Sequence, residues 1–243
     1  MDMKFLRRFF SRVQQVSLIT FVWFVMMGCL YGMYQLVFER SLFIVKNIEV
    51  DGRLVHLSSD DIKTYSGIKL GDNLFSADLK KIQKSVAANP WVLEVAVSRK
   101  IPSTIWIYVN EHVPAALLAA DEVYMIDEEG DIFKDLDGMD EKNLPILTGL
   151  SRNSDIGASM RLLNTYRKSS LANYFEPEEI NFERARGYSV VISNIVVRLG
   201  FDEFESKLEF LYSMFSAISS YNGNKIRYVD LNMPGKAVVK YDG

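Results

Sequence analysis

Apolar and polar positions divide the chain into three stretches with different periods. From Val13 to Phe38 there is no period at all: 26 residues pass without a charged side chain. As one helix rising 1.5 Å per residue they would reach about 39 Å, enough to cross the hydrocarbon core of a bilayer. A helix can do this alone because it satisfies its own backbone hydrogen bonds. Trp23, Tyr31 and Tyr34 suit such a segment without forming clean interfacial belts. Lys4, Arg7, Arg8 and Arg12 precede it, and Glu39 and Arg40 follow. The basic flank predicts a cytoplasmic tail over 1–12, a transmembrane helix over 13–38, and export of everything after it. The run is longer than a buried core helix needs, and no small-x-small site follows it, so a retained anchor is expected rather than a cleaved signal. Met26-Met27-Gly28-Cys29 ends in the Gly-Cys of lipidation signals but lacks their usual Leu and small residue. Gly28 and Gly32 have the GxxxG spacing that lets helices approach closely, a spacing also common by chance.

The second stretch, 43–111, mixes periods of two and 3.6. Phe43 to Val50 reads as an extended segment ending in an Asp51-Gly52 turn. Ser58 and Ser59 open a short helix with Ile62 and Tyr65 on one face, stopped by Gly67. Ser76 is the expected N-cap of a second helix. In it Leu79, Ile82 and Val86 share a face while Lys80, Lys81 and Lys84 stay in solvent. Asn89-Pro90 ends that helix. A strand from Trp91 to Val97 places Trp91, Leu93, Val95 and Val97 on one side and Glu94 and Ser98 on the other. Trp91 should cover the helix–sheet seam; the competing reading makes it an exposed partner contact. After the tight Ile101-Pro102-Ser103 connection, Ile105, Ile107 and Val109 alternate with Trp106 and Tyr108 in a third strand. The order is β-α-α-β-β.

The third stretch, 112–243, predicts a mixed, β-rich domain with two helices. Short strands are expected at Ala115–Ala120, Val123–Ile126 and, after a Glu129-Gly130 turn, Ile132-Phe133. A polar loop covers Asp135–Lys142, and Leu144 to Leu147 follow it. A helix over Ile156–Tyr174 has Met160, Leu163 and Tyr166 on one face. Strands follow at Ile180–Arg184, Tyr188–Ser193 and Ile195–Leu199. Asp202 and Glu205 have capping-box spacing before a helix in which Phe204, Leu208, Leu211, Phe215 and Ile218 step by four and three. Asn222-Gly223 ends it. Strands at Ile226–Leu231 and Ala237–Tyr241 flank Met233-Pro234-Gly235. The fold class is α+β.

Composition adds exclusions. A net charge of −3 does not suggest a general nucleic-acid binder. Cys29 is the only cysteine, so an exported domain carries no disulfide and must rely on its core. His56 and His112, the two histidines, lie at no metal-ligand spacing and read as surface or turn residues. Asp127-Glu128-Glu129-Gly130-Asp131 lacks EF-hand spacing and reads as a hairpin turn. No P-loop, GxGxxG or GxSxG occurs. A binding protein is expected, with no catalytic residue, metal or cofactor.

Several segments together resemble the FtsQ/DivIB family of bacterial cell-division proteins. Phe43 to Gly52 is similar to the opening strand of that family's POTRA domain. Gly71-Asp72-Asn73-Leu74-Phe75 is similar to its Gly-x-Asn-Leu turn. Asn89-Pro90-Trp91-Val92, with Val95, Val97, Arg99, Pro102, Ile105, Ile107, Val109, Glu111 and Pro114, is similar to its strongest signature. Ile126-Asp127 with Gly130, Leu144 to Gly149, Leu199-Gly200 and Tyr228 to Leu231 continue the likeness to the end of the chain. His112 stands where the family usually has Arg, and Asn232-Met233 where it usually has Arg-Tyr. The short tails favour the FtsQ type, from a bacterium with two membranes. A POTRA-bearing transport or assembly factor is the alternative, and an outer-membrane transporter would need a barrel that 130 residues do not supply.

The resemblance implies a POTRA domain over 43–111, an FtsQ-type β domain over 112–243, and a non-enzymatic divisome scaffold in the inner membrane at the septum. It implies FtsB and FtsL as partners, with FtsK, FtsW and FtsI as further divisome proteins, and a POTRA domain that aids recruitment. It also points to the last strand as the place where FtsB adds itself to the sheet. The candidate partner-binding residues are Arg186, Met233, Gly235, Lys236, Ala237, Val238, Val239, Lys240 and Tyr241. Arg186 matches an arginine expected to meet an acidic residue of the partner. The residues alone leave two readings open: Lys236 and Lys240 guard a sheet edge or attract an acidic chain, and Ala237 to Val239 either close the core or also receive a strand.

Overall fold

The structure, a computed structural model, describes residues 3–38, 43–138, 143–152, 154, 156–218, 226–233 and 235–241. Glu39 and Arg40, the end of the Asp135–Lys142 loop, the Asn222-Gly223 helix stop and Pro234 lie outside the described residues. The chain forms two compact units, Met1–Glu111 and His112–Gly243.

In the first unit, helix α1 (Met3–Phe38) begins well before the apolar run. Its Gln14–Gln35 stretch, of mean hydropathy 1.9, is long and apolar enough to cross a membrane and is buried against nothing. Then come β1 (Asn47–Arg53), α2 (Ser59–Ser66), α3 (Leu79–Ala87), β2 (Val92–Lys100) and β3 (Thr104–Glu111). The sheet order is β1-β3-β2, with β1 parallel and β2 antiparallel to β3. Ile62, Ile82 and Val86 of the helices pack with Ile105, Ile107 and Val109 of the central strand.

Local chemistry corrects three readings in this unit. The N-cap of α3 is Asp78, whose carboxylate accepts from the Lys80 and Lys81 N–H groups. Ser76 instead donates to the Asn73 carbonyl inside the preceding turn. Asp51-Gly52 is not a turn but part of β1, paired with Tyr108 and Val109. Gly52 has φ +119°, and a Cβ there would lie 2.0 Å from the Val109 carbonyl oxygen, so glycine serves a close strand approach. Finally, β2 starts at Val92 with a register shift before Glu94. The shift buries Trp91, Val92 and Val95 and turns Leu93 out to solvent, against simple alternation. His56 is exposed in a bend, as expected, and from there its ring stacks on Trp91 and reaches Glu111.

Glu111 explains why this unit needs an acid at its end. Its carboxylate accepts from the N–H groups of Val55 (3.1 Å), His56 (2.8 Å) and Leu57 (2.8 Å) and faces the His56 ring nitrogen at 3.1 Å. Burial pushes its pKa up, but the three backbone donors and the His56 ring outweigh burial and hold it below the ordinary carboxylate value. A carboxyl lowered on folding stabilises above its unfolded pKa and ceases to as pH falls through its folded one. The first unit should therefore lose stability as pH drops below about 4.5. Glu111→Gln should lower stability at neutral pH and flatten that acid limb; identical acid titrations for the two proteins, followed by near-UV circular dichroism, would contradict this.

In the second unit, β4 (Pro114–Ala119), β5 (Val123–Asp127), β6 (Ile132–Asp135) and β7 (Ile146–Thr148) precede α4 (Gly157–Lys168). Then follow β8 (Glu179–Glu183), β9 (Gly187–Ile192), β10 (Ile195–Gly200), α5 (Phe204–Ile218), β11 (Ile226–Asp230) and β12 (Val238–Tyr241). These nine strands form one sheet in the order β12-β11-β10-β9-β8-β7-β4-β5-β6. Leu162, Leu163 and Tyr166 of α4 and Leu208 and Leu211 of α5 share its buried core.

The helix expected over Ile156–Tyr174 stops at Lys168. Ser169 is extended (ψ 161°), its hydroxyl bonds the Tyr166 carbonyl, and a 3₁₀ turn continues over Ser170–Asn173. Serine hydroxyls offer the backbone a local alternative to the helical bond. Asp202 and Glu205 form no capping box. Asp202 is held by Lys207, whose ammonium donates to its carboxylate, to its carbonyl and to the Leu199 carbonyl. The acidic run does form the β5–β6 turn, with Gly130 at φ +94°. Asp127 is fully buried, accepts from the Asp131 N–H and faces His112 at 2.7 Å. His112 is half-buried and stacks on Phe133, so it is structural rather than a loose surface residue.

Candidate functional site

The last hairpin carries eight of the nine residues singled out from the sequence. β12 pairs antiparallel with β11, and β11 runs parallel to β10. Among the described residues no strand pairs with the other side of β12, which is one edge of the nine-stranded sheet. Lys236 N–H closes the preceding turn on the Met233 carbonyl, with Gly235 at φ +68°. Ala237 and Val239 are half-buried against the core, while Val238, Lys240 and Tyr241 are exposed, as is Met233.

Backbone direction decides which groups that edge offers. Leu231 N–H donates to the Arg198 carbonyl at 2.9 Å, so Leu231 and Val229 point their backbone groups toward β10. Tyr228 and Asp230 then point theirs toward β12 and form the hydrogen-bonded pairs Tyr228–Lys240 and Asp230–Val238. Val239 between them, and Ala237 by the same alternation, aim their backbone groups at the open side, while a register shift between Ile226 and Tyr228 interrupts the alternation before Tyr241.

The face of the sheet away from the helices is polar here. Arg198 lies over the Tyr228 ring (5.3 Å) and pairs with Asp230 (3.3 Å), which also accepts from the Tyr228 hydroxyl (3.0 Å). Burial, and then the bond and charge of Asp230, raise the Tyr228 pKa, while Arg198 and Arg186 oppose the rise. This cross-strand cluster braces β11, the support of β12, and sequence reasoning missed it. Its signal was present in the alternation of Tyr228 and Asp230, but their partner Arg198 comes from a strand far away in sequence. Asn232 sits against Gly200, where a Cβ would lie 2.2 Å from its side-chain oxygen.

Arg186 belongs to the β8–β9 turn rather than the hairpin, 60% exposed on its side chain and 3.5 Å from Glu183, with its charge felt at Tyr228 of β11. That turn leads into Gly187 at the end of the sheet where β10 and β11 finish and β12 begins. Three strand spacings, about 14 Å, separate it from β12. A single extended chain on the edge would have to reach across that end to meet it. Among the described residues no cluster of three His, Cys, Asp or Glu could hold a metal ion.

Comparison with known proteins agrees with this architecture. The family model "POTRA domain, FtsQ-type" matches residues 43–112, and "Cell division protein FtsQ/DivIB, C-terminal" matches 116–232. β12 lies just beyond the second match. The chain is 28% identical to Cell division protein FtsQ of Syntrophotalea carbinolica over 90% of this chain and 80% of that protein. It is 28% identical to the FtsQ of Geotalea daltonii, over 88% and 82% of the two. Cell division protein DivIB of Clostridium tetani is 24% identical, over 84% and 82%. With a family match on each side of the Glu111–His112 boundary and relatives aligned along most of its length, the chain belongs to the FtsQ/DivIB family of bacterial cell-division proteins.

Proposed function

We propose that this cell-division protein is a non-enzymatic scaffold whose β12 edge receives a strand of FtsB from the FtsB–FtsL pair. In this reading α1 crosses the inner membrane with its N-terminus in the cytoplasm. The two folded units lie on the far side at the septum, where the POTRA domain aids recruitment and other divisome proteins such as FtsK, FtsW and FtsI assemble. The observation that carries it is the open side of β12, where Ala237 and Val239 aim backbone groups outward and no other described strand pairs with them. The family resemblance near the end of the chain supports reading this edge rather than the opposite one at β6. Lys236 and Lys240 place positive charge on the hairpin, and Arg186 adds more at that end of the sheet, which suits an acidic partner segment.

The reading is tested by calorimetric titration of the full chain with the soluble part of FtsB–FtsL. Arg186→Glu should weaken binding roughly tenfold at low salt, about 1.4 kcal/mol. The difference should shrink as salt screens an exposed charge. Failure of the parent protein to bind would sink the scaffold reading. Parental affinity in the variant at every salt concentration would remove Arg186 from the site.

A further inference from the structure

The path by which the chain enters its first folded unit is held at both sides. Leu74 N–H donates to the Phe43 carbonyl (2.7 Å), Val45 N–H to Asp72 (2.8 Å), and Gly71 N–H to Val45 (2.9 Å). On the other side Lys46 N–H donates to the Ser103 carbonyl (2.8 Å). Residues 43–47 thus run between the loop before α3 and the β2–β3 turn. Each of these presents an aliphatic side chain at its tip: Leu70 is 67% and Ile101 68% exposed. Each tip follows a lysine, Lys69 or Lys100, and Lys46 lies on the entry segment itself; all three are exposed. Of the nearby acids, Glu49 is paired with Lys100, and Asp72 accepts from the Lys69 backbone N–H. Asp72 keeps its charge, so these three lysines against two carboxylates leave a net charge of +1.

This end is also the one tied to α1. Five Cα steps separate Phe38, the last residue of the helix, from Phe43, and they span at most about 18 Å. Exposed aliphatic side chains beside lysines, on a tether this short, have the chemistry of a surface that rests on anionic lipid. Val55 offers an internal contrast. It is 72% exposed, but its N–H bonds Glu111 at the far end of the parallel β1 and β3.

We infer that the Lys69-Leu70 and Lys100-Ile101 tips, together with Lys46, dock on the bilayer that holds α1. Leu70 and Ile101 enter the headgroup–acyl boundary, and Lys46 and Lys69 meet lipid phosphates. Docking restrains the first unit from swinging on its tether. The inference rests on α1 lying in the bilayer and does not depend on which way the helix points.

The test uses the full chain in nanodiscs, with a fluorophore on a single cysteine and a nitroxide quencher on shallow acyl positions. A label on native Cys29 reports whether α1 is inserted. In a Cys29→Ser background, labels go on Leu70→Cys, Ile101→Cys and Val55→Cys. Labels at 70 and 101 should be quenched several-fold more than the label at 55, and more strongly when anionic lipid is present. Lys46→Glu with Lys69→Glu, or Leu70→Ser, should reduce quenching at 101 while the melting curve and the Cys29 signal stay parental. If Cys29 is quenched but 70 and 101 behave like 55, docking is wrong and the anchor stands. If Cys29 is not quenched, the anchor reading fails and the inference with it. Quenching at 70 and 101 that ignores both lipid charge and these substitutions reflects the tether alone and overturns docking. So does shielding that appears only when a soluble protein partner is added.

Discussion

Trp91→Ala is expected to cost the first unit roughly 3–5 kcal/mol, the range for truncating a buried tryptophan. Trp91 is 9% exposed and its ring stacks on the His56 ring, centroids 3.6 Å apart and planes 15° from parallel. Its backbone N–H donates to Asn89 Oδ1 at 2.9 Å in the turn that ends α3, a bond the alanine variant keeps. His56 in turn belongs to the loop that Glu111 holds through three backbone N–H groups. Losing the indole therefore opens a cavity and also removes the platform on which that loop is stacked. For a unit of this size 3 kcal/mol corresponds to a melting shift of at least about 12 °C. A melt of the whole chain would mix two units, so the readout should be hydrogen exchange of the β2 and β3 amides. Parental protection in Trp91→Ala would restore the competing reading of Trp91 as a surface contact. His56→Ala combined with Trp91→Ala should cost less than the sum of the two singles, because the stacked pair is lost once.

The order of elements was legible because burial repeats along the chain. Ile105, Ile107 and Val109 are each fully buried at every second position of β3, and Leu208 and Leu211 of α5 face the core as their spacing predicts. What alternation could not show was where it is interrupted. The shift that exchanges Val92 for Leu93 depends on how β2 meets Glu111 and Asn110 across the ladder, information held in β3 rather than in β2. Helix caps failed for a related reason. Ser76 and Asp202 have suitable chemistry at suitable places, but Asn73 and Lys207 engage them first. The long-range order of the sheet was hidden as well, since β7 joins β4 to β8 and α5 separates β10 from its neighbour β11. Of the candidate site, the hairpin residues were legible from the end of the chain and the family resemblance. The brace of Arg198, Tyr228 and Asp230 beneath it was not, because it forms only when β10 and β11 meet.

The strand-addition reading makes its sharpest demand on single backbone donors in β12. Val238 is exposed and central in the segment, which makes a proline there the obvious first substitution. The pairing contradicts that choice: Val238 shares the hydrogen-bonded pair with Asp230, so its N–H already serves β11. Val238→Pro should therefore loosen the hairpin itself. Val239 aims its N–H at the open side, and Val239→Pro deletes one donor offered to a partner while leaving the β11 bonds in place. Its side chain faces the core, so a modest loss of stability is expected from the smaller ring. Binding should fall far more. The partner strand loses a main-chain bond, is left with a desolvated carbonyl, and meets the ring where its backbone should lie. A loss of at least about a hundredfold, roughly 2.8 kcal/mol, is expected in calorimetry against FtsB–FtsL. Ala237→Pro, at the next outward-facing position, should act in the same direction with less effect because it lies at the strand end. The pattern matters more than any one variant. Outward positions should lose affinity with the sheet intact, as judged by hydrogen exchange in β11, and the inward position should lose protection there. Binding by Val239→Pro at parental affinity, with β11 still protected, would rule out main-chain addition at this edge and leave side-chain contacts to carry any partner.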